Sequence, residues 1–260
     1  MSYRRIGQIT EYRPVSRLNM EELAAYQRGL TDPSGGVLFA RTKARDEKDL
    51  ARQRILDLFG PQAWPDNLRM FTMPGIHWRF ERILLGMREQ GWMKFKPKPK
   101  HTYFTAVEND RAIFHAAIGM MPGVHTPNAL VQTIKPQPFC EAGVKTKYAA
   151  LFFANVDDLM PQPWNNGWDA AWLDYTGPMS VQRLNIIADF YRRCVRKVMI
   201  VTVLKARWDR DTSVAIERAG GHAAWLRKHL PGDVLHDIEY QDTVPMAQIA
   251  VRKLWRSPLC

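Results

Sequence analysis

The run Trp168 to Asp174 (WDAAWLD) is almost wholly apolar, ends in an acid, and is stopped by Tyr175-Thr176-Gly177-Pro178. An apolar run without alternation predicts a strand covered on both faces, as in parallel sheets flanked by helices. In such sheets ligands collect beyond the carboxyl ends of the strands, where an acid at a strand tip meets them. A second segment repeats the pattern upstream. Tyr103 to Phe114 (YFTAVENDRAIF) runs apolar into Glu108 and then into a helical pattern. Two acid-tipped strands in this order point to a nucleotide-type ligand.

From Asn67 onward, strand and helix patterns alternate. Strands are predicted at 68–73, 103–108, 149–154, 168–174 and 197–204, the last being the most β-branched run in the chain. Helices are predicted at 77–90, 110–118, 181–193 and 212–229, with Gly220-Gly221 a weak point in the last. Residues 234–241 and 245–254 read as a closing antiparallel pair, and the Pro- and Gly-rich stretch 119–147 as a long insertion. Ahead of these, 19–28 and 42–59 read as helices of an N-terminal extension, 1–66, ended by Gly60-Pro61. The expected fold is α/β, with a doubly wound, mostly parallel seven-stranded sheet and a C-terminal antiparallel hairpin across 67–260.

This order of parts resembles the class I S-adenosylmethionine-dependent methyltransferases, over about residues 67 to 256. The resemblance rests on topology and acid placement rather than on a diagnostic string. It implies that Pro74 and Gly75, after the first strand, meet the methionine end of S-adenosylmethionine. It places Glu108, with Asn109 beside it, at the ribose, and Asn155 and Asp157 near the adenine. A carboxylate accepts two hydrogen bonds from a vicinal diol, which suits Glu108 to a ribose. Capping of the following helix by Glu108 and Asp110 is the alternative. The family's first turn carries two or three glycines, whereas Phe71 to Trp78 supplies one, beside a proline and the bulky His77 and Trp78. Glu81, one helical turn on, either replaces a missing polar contact or pairs with Arg82 or Arg88.

The tip Asp174-Tyr175 matches the family's transfer site. It lacks the prolines of methyltransferases acting on base amines, and no Pro-Cys for cytosine C5 chemistry occurs. Lys205 follows the next strand. An Asp174–Lys205 pair orients a hydroxyl for deprotonation, and resembles part of the Lys-Asp-Lys-Glu set of ribose 2′-hydroxyl methyltransferases. On the last strand, Gln248 is the nearest polar residue to that set's glutamate. Contact of Lys205 and Arg207 with phosphate, or only with solvent, is the alternative.

The net charge of +11 favours a polyanionic partner, most commonly nucleic acid. Lys94, Lys96, Lys98 and Lys100, interleaved with Trp92, Phe95 and Tyr103, are the leading contact residues, with Arg207. The three cysteines are far apart and fit neither a disulfide framework nor a zinc site, and His77, His115 and His125 lack metal-ligand spacing. No Gly-Lys-Ser/Thr phosphate loop, signal peptide or apolar span of membrane length is read, so the expected place is the cytoplasm or the nucleoid. The expected function is a methyltransferase-like protein acting on or binding nucleic acid. The alternative is a non-catalytic basic scaffold, for instance in a viral or mobile-element nucleoprotein, that keeps the fold but has lost its glycine turn.

Overall fold

A computed structural model describes residues 51–253, except 52–53, 56, 60–63, 65, 75–77, 86–100, 125–129, 165–166, 176–178, 206–209 and 242–244. The predicted helix at 19–28, Gly75, the lysine run 94–100 and Arg207 lie outside the described residues. Among the described residues, nine strands form one sheet. They are β1 (Asn67–Thr72), β2 (His101–Glu108), β3 (Gln132–Ile134), β4 (Ala142–Lys145), β5 (Ala149–Phe153), β6 (Trp168–Asp174), β7 (Val195–Leu204), β8 (Asp233–Gln241) and β9 (Pro245–Arg252). Their spatial order is β3-β4-β5-β2-β1-β6-β7-β9-β8.

The central strands β5, β2, β1, β6 and β7 pair in parallel, while both flanks are joined by antiparallel pairing. The sheet is therefore mixed and nine-stranded, not mostly parallel and seven-stranded as the sequence led one to expect. The excess comes from the insertion, whose Pro- and Gly-rich composition hides two strands of three and four residues. Their pairing closes the open edge that β5 would otherwise present to solvent. Gly143 permits the close approach, since a Cβ there would lie 2.9 Å from Ile134 Cβ.

The connecting helices are α1 (Arg79–Leu84), α2 (Arg111–Met120), α3 (Val156–Leu159), α4 (Val181–Cys194), α5 (Arg210–Ala219) and α6 (His222–His229). Asp110, Asn155 and Ser180 cap α2, α3 and α4 by accepting from first-turn backbone N–H groups. The single helix predicted at 212–229 divides at Gly220 and Gly221, whose φ values of 87° and 112° favour glycine.

Successive residues of each central strand point into different cores. Met199 and Val201 join Phe71, Trp168 and Phe190 on one side of the sheet. Val198 and Ile200 join Met70, Phe104 and Trp172 on the other, where Trp78, Phe80 and the helical residues Ile55 and Phe59 also pack. This two-sided division is what the unalternated apolar runs encode. The one acid inside β6, Asp169, is buried and accepts from the Arg69 backbone N–H at 2.9 Å, beside an irregularity in the β6–β7 register. No helix among the described residues is long and apolar enough to cross a membrane.

Candidate functional site at the carboxyl rim of the sheet

Parallel register fixes which strand tips meet. Thr72 of β1 lies opposite Ala106 of β2 and Trp172 of β6. Glu108 and Asp174 each stand two residues further along, level with Pro74, so the two acids share one rim of the sheet. Asn155 and Asp157 follow β5, and Lys205 follows β7, onto the same rim.

Glu108 is half-buried at the tip of β2. Its Oε1 accepts from the backbone N–H groups of Asn109 and Asp110, both at 2.9 Å, which fixes the carboxylate's orientation. Its Oε2 takes no hydrogen bond among the described residues. Burial lifts the Glu108 pKa above the usual carboxylate value, against the pull of those two N–H groups. The side chain that caps α2 is that of Asp110, whose Oδ1 accepts from Ala112 N at 2.8 Å and Ile113 N at 2.9 Å. The Asn109 contribution seen here is its backbone N–H.

Of the first turn, Met73, Pro74 and Trp78 are described. Pro74 is half-buried at the end of β1. Trp78 adopts φ 48°, a left-handed conformation that costs a non-glycine residue about 1 kcal/mol. Its ring is fully buried on the core side, and its Nε1 donates to Ala117 O of α2 at 2.9 Å. Glu81 is also buried. Thr72 Oγ1 donates to Glu81 Oε1 at 2.6 Å, tying α1 to the last residue of β1. Thr72 is a residue of this rim that the sequence alone did not single out.

Asp157, Tyr175 and Arg183 form one cluster. The Tyr175 hydroxyl donates to Asp157 Oδ1 at 3.2 Å, and Arg183 Nε and Nη2 donate to Oδ2 at 2.7 and 2.6 Å. The Arg183 guanidinium also lies 5.2 Å from the centre of the Tyr175 ring. Burial first, and then the Asp157 charge, push the Tyr175 pKa well above 10, so the phenol stays protonated and donates. The carboxylate and guanidinium side chains are 16% and 27% exposed, so the pair is only partly screened. Arg183→Ala strands the Asp157 charge and is expected to lower stability by about 2 kcal/mol in urea unfolding, below the range for a fully buried pair. Asp157→Asn combined with Arg183→Ala should recover part of that loss.

Lys205 is drawn to β8 rather than to Asp174. Its Nζ forms an ion pair with Glu239 Oε2, and its backbone N–H donates to Pro245 O at 2.9 Å. Asp174 lies opposite Thr202. Sequence reasoning missed Glu239, because it sought an acid on the last strand and found Gln248. That glutamine is buried in a different network. Its Nε2 donates to Thr202 Oγ1 at 3.0 Å, which also accepts from Trp172 Nε1 at 3.1 Å.

Beyond β5, the insertion and α3 enclose an open hollow of about 670 Å³, walled by Pro138, Phe139, Phe153, Asn155 and Asp157 among others. Its volume falls within the usual range for small-molecule sites.

The sequence matches no family model and no curated relative. Solved structures are similar in fold. A Listeria monocytogenes protein assigned to the class I S-adenosylmethionine-dependent methyltransferases superposes with a TM-score of 0.50 at 10% identity, over 94% of this chain and 71% of that one. Magnesium protoporphyrin IX methyltransferase from Synechocystis PCC 6803, solved with S-adenosylmethionine bound, gives 0.48 at 6% identity, over 91% and 93%. Aeropyrum pernix fibrillarin, in complex with S-adenosyl-L-methionine, gives 0.43 at 13% identity, over 78% and 74%. The chain has the fold of the class I S-adenosylmethionine-dependent methyltransferases, extended at one edge by the hairpin β3–β4.

Proposed function

We propose that this chain is an S-adenosylmethionine-dependent methyltransferase-like protein that acts on or binds nucleic acid. The observation that carries the proposal is Glu108. Its carboxylate is held by two backbone N–H groups, leaves Oε2 without a hydrogen bond among the described residues, and shares its rim with Asp174. For an adenosine there, Glu108 Oε2 would accept from the ribose diol, and the hollow beyond β5, which Asn155 and Asp157 line, would take the base. Asp157 Oδ1 accepts the Tyr175 hydroxyl and keeps a lone pair for an adenine amine, beside Asn155. Pro74 and Gly75 are assigned to the methionine end, with Glu81 bonded by Thr72 at the end of β1. Asp174, Tyr175 and Lys205 would frame the acceptor. The bound sulfonium supplies an already activated methyl group, so the work left to these side chains is alignment and exclusion of water. The charge of +11 supports the nucleic-acid half, with Lys94, Lys96, Lys98, Lys100 and Arg207 as contacts proposed from sequence.

The test is calorimetry and thermal shift with S-adenosylmethionine and S-adenosylhomocysteine. Ligand at about 100 times its Kd should stabilise the protein by about 2.7 kcal/mol, and Glu108→Ala should remove most of that gain. The ionised carboxylate is the better acceptor for a diol, so affinity should fall as pH drops through the raised Glu108 pKa. The effect on the free protein has the opposite sign. A carboxyl whose folded pKa is raised binds its proton more tightly when folded, so its contribution to stability declines as pH rises.

A second reading, the basic scaffold, is favoured by the first turn. A tryptophan in a left-handed conformation stands where close backbone approach to a ligand would need small residues. Absence of any shift with either compound would decide for it.

A further inference from the structure

A concentration of positive charge among the described residues lies at the opposite rim from the candidate crevice. Helix α4 ends in Arg192 and Arg193, and β7 begins at once with Val195, Arg196 and Lys197. The antiparallel strand β9 returns to the same place. Val198 lies opposite Arg252, and the Lys253 backbone N–H donates to Lys197 O at 2.7 Å. Lys253 Nζ turns back onto the end of α4, donating to Arg192 O at 2.7 Å and Val195 O at 3.1 Å. Three chain segments thus bring six cations, Arg192, Arg193, Arg196, Lys197, Arg252 and Lys253, to the amino rim of the sheet.

The acids paired with them do not balance that charge. Asp189 serves both Arg192 and Arg193, and Asp233 serves Arg252. Arg196 is exposed and has no acidic partner among the described residues. Arg192, Arg193 and Arg252 are exposed as well. Arg193 turns Nε, Nη1 and Nη2 to Asp189, Cys194 Sγ and Met160 O, whereas the guanidinium groups of Arg192, Arg196 and Arg252 are exposed to a phosphate, which arginine takes through paired N–H donors. Lys197 Nζ lies 5.5 Å from the centre of the buried Trp64 ring, so this cation leans on the core rather than outward. His101, the residue that follows the lysine run, opens β2 on this same rim.

We infer that the amino rim around Arg192, Arg196 and Arg252 binds the phosphodiester backbone of nucleic acid. Among the described residues the surface carries charge and donors but no enclosed groove, so it reads backbone rather than sequence. Arg196 and Lys205 stand at opposite ends of β7, nine residues apart in number, or roughly 30 Å along an extended strand. A polymer anchored here reaches the opposite rim only by passing around the body. Binding and any methyl transfer are then separable functions of two ends of one sheet. The inference rests on the nucleic-acid half of the proposed function and not on the cofactor half.

The test is fluorescence anisotropy of a labelled duplex DNA of about 20 base pairs, titrated with the full chain at several salt concentrations. Arg192→Gln with Arg196→Gln leaves Asp189 paired to Arg193, so the fold should persist, with an unchanged melting temperature as the check. Each lost phosphate contact should reduce the slope of log affinity against log salt by about 0.9, so the double variant should lose about 1.8 and bind every duplex more weakly. Arg196→Lys should keep most of the slope. The comparison set replaces Lys94, Lys96, Lys98 and Lys100 by glutamine. Loss of binding in that set, with the arginine variant unaffected, overturns the amino-rim assignment while leaving a nucleic-acid partner in place. A wild-type chain that binds no duplex at low salt overturns both. The S-adenosylhomocysteine titration reports on the other rim and its result is independent of either outcome.

Discussion

Trp168→Ala is expected to lower the unfolding free energy by about 4 kcal/mol, the upper range for removing a large buried aromatic. Trp168 opens β6 and is 1% exposed. Its ring meets Phe71 at 5.1 Å edge to face, Trp164 at 5.1 Å edge to face, and Phe190 at 5.5 Å. These partners come from β1, from the segment before β6 and from α4, so one side chain joins three parts of the core. Its Nε1 is buried without a hydrogen-bond partner among the described residues, so its contribution to the described core is packing. Trp168→Phe removes that buried donor along with part of the ring, and should cost far less than the alanine variant. Urea unfolding of the two variants separates these terms. Equal losses would mean that the indole's bulk is not what holds β6 in place.

The consequence extends to the rim, because β6 carries Asp174. That strand is legible in the sequence at both ends. Its apolar run is long enough to show no alternation, and Tyr175 to Pro178 contains breakers, so the expected span 168–174 and the observed one coincide. The division of 212–229 is half legible, since Gly220-Gly221 marks a weak point without showing that the backbone turns there. Strands β3 and β4 are not legible. They are short, and their stability comes from pairing with β5, a non-local fact. The candidate site divides in the same way. That Glu108 and Asp174 share a rim is legible because each ends its own strand, and parallel topology brings strand ends together. Their surroundings are set by distant residues. Arg183 reaches Asp157 across 26 positions, and Lys205 reaches Glu239 across 34. No local spacing announces such pairs. A search for an acid on the strand one before the last, rather than on the last, would have found Glu239.

Gly232→Ala is expected to cost about 3 kcal/mol, more than backbone conformation alone explains. Gly232 joins α6 to β8 with φ 154°. A Cβ there would collide with the backbone carbonyl oxygen of Arg252, and would lie 2.8 Å from Val251 Cγ1 and 3.0 Å from the Tyr191 hydroxyl. A side chain could move aside, but this carbonyl cannot. Arg252 is held by its register with Asp233 on β8 and Val198 on β7, and the next residue donates to Lys197 O. Two other glycines isolate the causes. Gly220 has φ 87° but nothing within 4 Å of an added methyl, so Gly220→Ala carries the conformational cost alone, about 1 kcal/mol. Gly167 carries no left-handed φ, but a Cβ there would lie 2.5 Å from Cys194 O, so Gly167→Ala carries the clash alone. Denaturant unfolding should therefore rank Gly232 above Gly167 and Gly167 above Gly220. A Gly220→Ala loss as large as that of Gly232→Ala would assign the effect to conformation, and would mean that the β7–β9–β8 end of the sheet yields to an added methyl more readily than its paired backbone implies.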